Sequence, residues 1–270
     1  MLGLWLAIEL VLTAISFAIS RLIRRKRVGE IPAGKIDVPR AVAAFFGEVA
    51  AAACTHFLVA VTQPFPARKT RLPLNVITTP ILLIPGYFCN RSCWLVFGRL
   101  LRNCGAAHVY TIDPKPMTGD IREFAKQVAE KVDMILSTTR ASQVNLVGHS
   151  MGGLIARYYT AELGGARKVG VCVTIASPHH GTAVSRIAPG INAGQMRRGS
   201  QFLVALNKSE HVGTSTQLVS IWSRFDNMIV PPTSSVLGGN AKNIVLDGFG
   251  HLAMLYSPRV AQLVWDNLNR

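Results

Sequence analysis

The sequence specifies an α/β architecture: a mostly parallel, doubly wound sheet flanked by helices and a short cap, with an apolar N-terminal helix ahead of it. Three observations point there. Beyond residue 80, six short, nearly continuous apolar runs recur, at 81–84, 108–112, 144–147, 169–176, 217–222 and 243–246. Amphipathic segments at 91–103, 119–138, 153–163 and 257–269 alternate with them. Strands buried on both faces by crossover helices lose the apolar–polar alternation of a half-exposed sheet, so this pattern reads as parallel. The third observation is a Gly-x-Ser-x-Gly turn joining one such run to the helix after it.

The N-terminal quarter comes first in the chain and differs in character. Residues 1–19 are almost wholly apolar, interrupted by Glu9, Thr13 and Ser16. At ~1.5 Å per residue this nearly spans a ~30 Å hydrocarbon core. No basic residue precedes the stretch and no Ala-x-Ala site closes it, which predicts a retained anchor rather than a cleaved signal peptide. Arg21, Arg24, Arg25, Lys26 and Arg27 follow, and such a flank is held on the cytoplasmic side. Residues 1–27 are therefore expected to be a transmembrane anchor with its basic flank.

Residues 28–74 form a second apolar segment and a linker. The stretch 41–61 is long enough to span a membrane, but it is alanine-rich and carries Glu48 and His56. An acidic residue at a helix centre costs ~2.5 kcal/mol or more on insertion. The expectation is an amphipathic helix lying on the membrane or packed on the catalytic domain. The alternative is a second span, with 21–40 as the inner loop; the basic run Arg68-Lys69-Thr70-Arg71 counts against it.

Residues 75–270 form the catalytic domain. Its most informative stretch is Val144-Asn145-Leu146-Val147-Gly148-His149-Ser150-Met151-Gly152-Gly153, followed at once by an amphipathic segment. In a strand–turn–helix context this pentapeptide becomes a nucleophile elbow, with Ser150 held in a cramped backbone conformation that lifts its hydroxyl out of the sheet. A Cβ at position 148 or 152 would collide with the neighbouring strand or helix. The new helix offers its free N-terminal amides to a developing oxyanion.

A serine hydroxyl needs a base and an acid. His251 lies in Asp247-Gly248-Phe249-Gly250-His251-Leu252, a glycine-flanked loop from which an imidazole can reach across the top of a sheet. Asp226 directly follows the run 217–222, at the carboxyl end of an expected strand, with Asp247 as the rival acid. Asp226 would fix the imidazole tautomer and stabilise the imidazolium without taking the proton. For the oxyanion, Ile84-Pro85-Gly86-Tyr87 closes the first strand. The backbone N–H groups of Tyr87 and Met151 are the expected donors.

These pieces together resemble a known family. From residue 80 to about 268 the chain is similar to the lipase/esterase branch of the α/β-hydrolase superfamily, and within it to the compact bacterial triacylglycerol lipases. The order Ser150…Asp226…His251 is the nucleophile–acid–base order of that fold. Ser177-Pro178-His179-His180-Gly181-Thr182 resembles the Thr-Pro-His-x-Gly-(Ser/Thr) signature of those lipases, and Asp226-Asn227-Met228-Ile229-Val230-Pro231 and Gly250-His251 match as well. One departure is Pro85-Gly86, where lipases usually carry His-Gly. Since the donor is a backbone amide, the change bears on loop rigidity more than on the hole. The resemblance implies a bacterial inner membrane for the anchor.

His149, His179 and His180 have neither the spacing nor the acidic neighbours of a metal site, and the resemblance makes His149 the variable elbow residue and the other two structural. No cofactor is expected. Residues 182–216 contain no strand pattern and read as a cap, with 191–198 and 202–206 as short helices over Ser150.

The apolar fraction of 49% is high for a soluble chain and is concentrated at the N-terminus. The net charge of +15 divides as +6 over residues 1–74 and +9 over the rest. A basic balance beside an anchor favours anionic headgroups. No recognition motif or aromatic-interleaved basic stripe supports a nucleic-acid partner. Five cysteines define no disulfide framework, although Cys89, Cys93 and Cys104 flank one expected helix.

Expected from all of this is a membrane-associated serine hydrolase cleaving carboxylic esters of lipids or lipid-like molecules. The competing reading is a catalytically silent hydrolase fold serving as a membrane-anchored binding module; the intact Ser, Asp, His and glycines argue against it. Because every proposed catalytic residue lies beyond residue 74, a chain beginning near Arg71 is expected to retain cleavage of small esters.

Overall fold

Each apolar run beyond residue 80 forms a strand. A computed structural model describes residues 2–25, 37–62, 79–209 and 216–269 of the chain. The strands are β1 (Ile81–Ile84), β2 (Val109–Thr111), β3 (Val144–His149), β4 (Val169–Ile175), β5 (Gln217–Ser223) and β6 (Lys242–Leu246). They pair in the order β2-β1-β3-β4-β5-β6, every described pair parallel. β2 is shorter than the run 108–112 because it lies at the sheet edge and pairs with β1 alone.

The helices fall on two faces. On one, α3 (Leu95–Asn103) and α8 (Pro258–Leu268) bury Phe97, Leu101, Val260 and Val264 against Ile81, Leu83, Val147, Val173 and Ile175. On the other, α4 (Ile121–Thr139) and α5 (Met151–Glu162) bury Phe124, Val128, Leu154 and Ile155 against Leu82, Ile84, Val144 and Leu146. The alternation within β1, odd residues to one face and even to the other, is the period-two geometry of a strand covered on both sides. The segment expected as a helix over 91–103 begins as a 3-10 turn, Arg91–Trp94, because the Asn90 side chain caps it at the Ser92 N–H.

The cap carries α6 (Ile191–Gln195) and α7 (Gln201–Ser209); residues 210–215 lie outside the described residues. Both helices are tied to the α4–α5 face. Gln195 accepts from Ile121 N and donates to Asp120, the N-cap of α4, and Asn192 donates to Met117 O. Phe202, Leu203 and Leu206 of α7 join the core beside Tyr159. The connection before α6 also reaches the loop after β1, where Tyr87 Oη donates to Pro189 O at 2.5 Å.

The N-terminal quarter forms α1 (Leu2–Arg25) and α2 (Val38–Thr62), which pack on each other. Phe17 meets Phe45 edge-on at 5.6 Å, and buried Glu9 holds His56 at 2.8 Å. By length and composition, one helix among the described residues, Val38–Val61, could cross a membrane. In this structure, however, α2 lies along the domain that carries the sheet for most of its length. Arg40 stands 3.7 Å from Asp247, Glu48 accepts from Leu252 N and Ala253 N, Thr55 bonds Tyr256 Oη, and Val59 O accepts from Asn90. The expected basic residues Lys26 and Arg27 and the linker around 68–71 lie outside the described residues. The five cysteines are free thiols.

Candidate active site

Register brings the strand ends to one level: Ile84 faces Gly148, His149 faces Ile175, Ile175 faces Ile221, and Ser223 faces Leu246. The loops bearing residues 86, 150, 226 and 251 therefore leave the sheet at the same carboxyl edge, where open α/β sheets form their sites.

Ser150 sits between β3 and α5 with φ 53° and ψ −122°, a left-handed conformation that a non-glycine residue adopts only under constraint. Its N–H donates to Ile175 O at 2.8 Å, which pins the turn to β4. The two glycines are required by contact. A Cβ on Gly148 would lie 2.4 Å from Gly152 backbone atoms, and one on Gly152 would lie 2.1 Å from Ile84 O. The second approach sets the start of α5 against the end of β1, so Met151 and the Pro85–Tyr87 loop are neighbours.

Asp226 and His251 meet directly. Asp226 Oδ2 stands 2.9 Å and Oδ1 3.2 Å from His251 Nδ1. Asp226 Oδ1 also accepts from Met228 N and Ile229 N at 2.8 Å each, which aims the carboxylate. The rival acid, Asp247, is engaged elsewhere: Arg224 Nη1 donates to both of its oxygens, at 2.9 and 2.8 Å. His251 N donates to Asn227 Oδ1 at 3.0 Å, so two consecutive residues after β5 hold both ends of the histidine. The His251 ring lies 4.6 Å from the ring of His149, the residue just before Ser150. With Nδ1 committed to Asp226, Nε2 is the nitrogen left for proton transfer.

Burial of these rings has opposite consequences. For His251, burial opposes the imidazolium, but the Asp226 carboxylate and then Glu48 outweigh it and raise its pKa above the usual 6.5. For His149, burial and the neighbouring His251 lower it well below that value. His149 is thus the neutral partner, its Nε2 3.2 Å from His251 O.

His179 and His180 lie in separate surroundings. Arg157 donates to His179 Nδ1 at 2.8 Å, so Nε2 carries the proton and faces Thr174 Oγ1 at 3.0 Å. Arg157 also donates to Asn207 Oδ1, and Asn207 Nδ2 to His179 O, tying the Ser177–Thr182 loop to α5 and α7. His180 Nε2 faces Val236 O at 3.1 Å. Beside the elbow a small pocket opens between Gly86, Phe88, Cys89, Met117 and Met151.

The profile of the α/β-hydrolase fold matches residues 79–227, more than half of the chain. The chain belongs to the α/β-hydrolase fold family. This α/β-hydrolase is 40% identical over 57 residues to the triacylglycerol lipases of Pseudarthrobacter phenanthrenivorans and Burkholderia plantarii, a match covering 21% of the chain. That match covers 17% and 15% of those proteins, so the chain spans less than a fifth of the length of these curated relatives.

Solved structures carry the same fold. Aspergillus fumigatus lipase B superposes with a TM-score of 0.63 at 18% identity, over 74% of this chain and 56% of that one. Mature Bacillus licheniformis lipase BlEst2 does so with 0.62 at 15% identity, over 75% and 95%. A bacterial membrane phospholipase A gives 0.51 at 16% identity, over 86% and 96%. At such identities the likeness is one of fold.

Asn227 and Glu48 are the residues at this site to which the sequence reading assigns no role. Asn227 stands beside Asp226 in the family-like motif. Glu48 is marked in the sequence as a lone acid within an apolar helix.

Proposed function

We propose that this α/β-hydrolase is a membrane-associated serine hydrolase that cleaves carboxylic ester bonds of lipids or lipid-like esters. The carrying observation is the Asp226–His251 pair, joined at 2.9 Å and packed against the strained elbow of Ser150. Ser150 Oγ attacks the ester carbonyl while His251 Nε2 takes its proton. Asp226 accepts from Nδ1–H and stabilises the imidazolium. The Tyr87 and Met151 amides receive the negative charge of the tetrahedral intermediate. His251 then returns the proton to the leaving alcohol, and a water activated by the same imidazole releases the acid from the acyl-enzyme. The lipase relatives and the exposed Phe88, next to Tyr87 and lining the pocket beside Met151, support an apolar acyl group.

A series of p-nitrophenyl esters of increasing chain length, with a fluorophosphonate probe in parallel, tests this reading on the full chain. Hydrolysis of the esters together with covalent labelling is expected; a folded protein that does neither contradicts it. Since His251 must be neutral to act as base, and its pKa is raised by Asp226 and Glu48 against burial, the acid limb of kcat/KM should lie above pH 6.5. The groups facing the ring are Asp226, Glu48, Cys89 and His149. An acid limb below 6.5 in a pH–rate profile would deny this environment.

Membrane association rests on the hairpin of α1 and α2. Its outer face exposes Leu6, Ile8, Val11, Leu12 and Ile15 of α1 and Phe46 and Phe57 of α2. Because Ser16 and Glu48 hold catalytic loops, the hairpin lies in the plane of the interface, apolar face down, rather than crossing the hydrocarbon. Val11→Asp/Ile15→Asp should reduce co-flotation with anionic phospholipid vesicles on the order of 100-fold, two buried apolar side chains being worth ~3 kcal/mol. Hydrolysis of a soluble short ester should be unchanged. Flotation equal to wild type would remove this face from the membrane.

A further inference from the structure

The N-terminal hairpin reaches the catalytic histidine from two sides. Glu48, in the middle of α2, is buried to 2% exposure. Its Oε1 accepts from Leu252 N at 3.0 Å and its Oε2 from Ala253 N at 2.9 Å. These are the two residues directly after His251, and acceptance by both oxygens is the pattern of an ionised carboxylate. On the other side of the histidine, Gly250 fits against the same side chain: a Cβ there would come within 2.5 Å of Glu48 Oε2. From α1, Ser16 Oγ donates to Thr13 O and accepts from Asn227 Nδ2 at 2.7 Å, and Asn227 Oδ1 accepts from His251 N at 3.0 Å. The backbone from residue 250 to residue 253 is thus gripped largely by groups from outside the sheet.

We propose that Glu48 is a positioning residue of the active site, holding the His251 loop from α2 so that the hairpin is part of the catalytic machinery. A buried carboxylate is costly unless it is fully bonded. Among the described residues, this one is bonded to the loop that bears the base, with the charge of His251 nearby. Burial, with the nearby Asp226 carboxylate, outweighs His251 and the two backbone N–H groups, so the Glu48 carboxyl is raised above the usual carboxylate value. The same proximity makes Glu48 the second carboxylate, after Asp226, to favour the imidazolium. The hairpin is then not separable without loss, contrary to the expectation that a chain beginning near Arg71 keeps its activity. Since the same hairpin carries the apolar outer face, whatever shifts it at a membrane surface also shifts the histidine.

The proposal rests on His251 acting as the base, and the experiment separates the two. Full-length wild type, Glu48→Gln and Glu48→Ala are compared on a soluble p-nitrophenyl ester, with active sites counted by fluorophosphonate titration. A wild type that neither hydrolyses nor labels overturns the base assignment itself, and the proposal with it. With an active wild type, Glu48→Ala should lower kcat per titrated site tenfold or more and change KM less than threefold; Glu48→Gln should lose less. The acid limb of kcat/KM should move to lower pH in Glu48→Gln, because one of two carboxylates favouring the imidazolium is gone. Mere loss of folded protein would reduce the titrated sites and leave that limb in place. If Glu48→Ala does not fold, Glu48→Gln alone decides through the limb. An unmoved acid limb in Glu48→Gln, or kcat per titrated site within twofold of wild type in every folded variant, overturns the proposal.

Discussion

Ser150→Ala is expected to remove ester hydrolysis by a factor on the order of 10⁴ to 10⁶ and to abolish fluorophosphonate labelling, leaving a folded protein. The substitution takes away the oxygen proposed to attack the ester and a volume of one atom. The backbone constraint that holds residue 150 at φ 53° comes from Gly148, Gly152 and the bond to Ile175 O, none of which needs the hydroxyl. Thermal melting within a few degrees of wild type should accompany the loss. Labelling or turnover that survives the change at more than a few per cent would move the nucleophile elsewhere. His251→Ala should be nearly as damaging, because the members of such a set act as a unit rather than additively.

The second large effect discriminates between two carboxylates. Asp226→Asn should lower kcat about 10⁴-fold, since an amide that donates to Nδ1 selects the wrong imidazole tautomer. Asp247→Asn should stay within about fivefold of wild type. The structure supplies the reason: Asp226 accepts from two backbone amides and faces Nδ1, whereas Asp247 is spent on Arg224 and lies near Arg40. Steady-state kinetics on the same soluble ester decide it. The reverse ranking would mean that the acid sits after β6 rather than after β5.

The sheet was legible because its central strands, β1 and β3 above all, are buried on both faces. A run such as 81–84 has no polar side to confuse its period, and the structure begins and ends β1 there. Differences arise where local rules yield to side-chain capping or to edge position. Asn90 turns the expected start of a helix into a 3-10 turn, and β2 loses its outer residues at the sheet edge. The elbow was legible for a different reason: close approach forbids a Cβ at 148 and 152, and that prohibition is written in the sequence as glycine. The cap was legible as a strandless segment, but its tethers were not. They run through Gln195 and Asn192 to residues about 75 positions away, and such contacts leave no local periodicity.

Glu48 was the feature hardest to read. In an alanine-rich apolar helix, an acid registers only as a penalty against membrane insertion. Its partners, the amides of Leu252 and Ala253, lie more than 200 residues downstream and are backbone groups without sequence identity. Packing alone brings them together. The same holds for Ser16 and Asn227, whose bond joins positions 211 residues apart.

The most direct measurement is the site of covalent modification. Full-length protein is treated with a fluorophosphonate, digested, and the adducted peptide sequenced by tandem mass spectrometry. An adduct on Ser150, formed faster as pH rises through the acid limb of hydrolysis, is the outcome predicted by a serine nucleophile served by His251 and Asp226. An adduct on any other residue, or none on a folded protein that hydrolyses the ester, contradicts it.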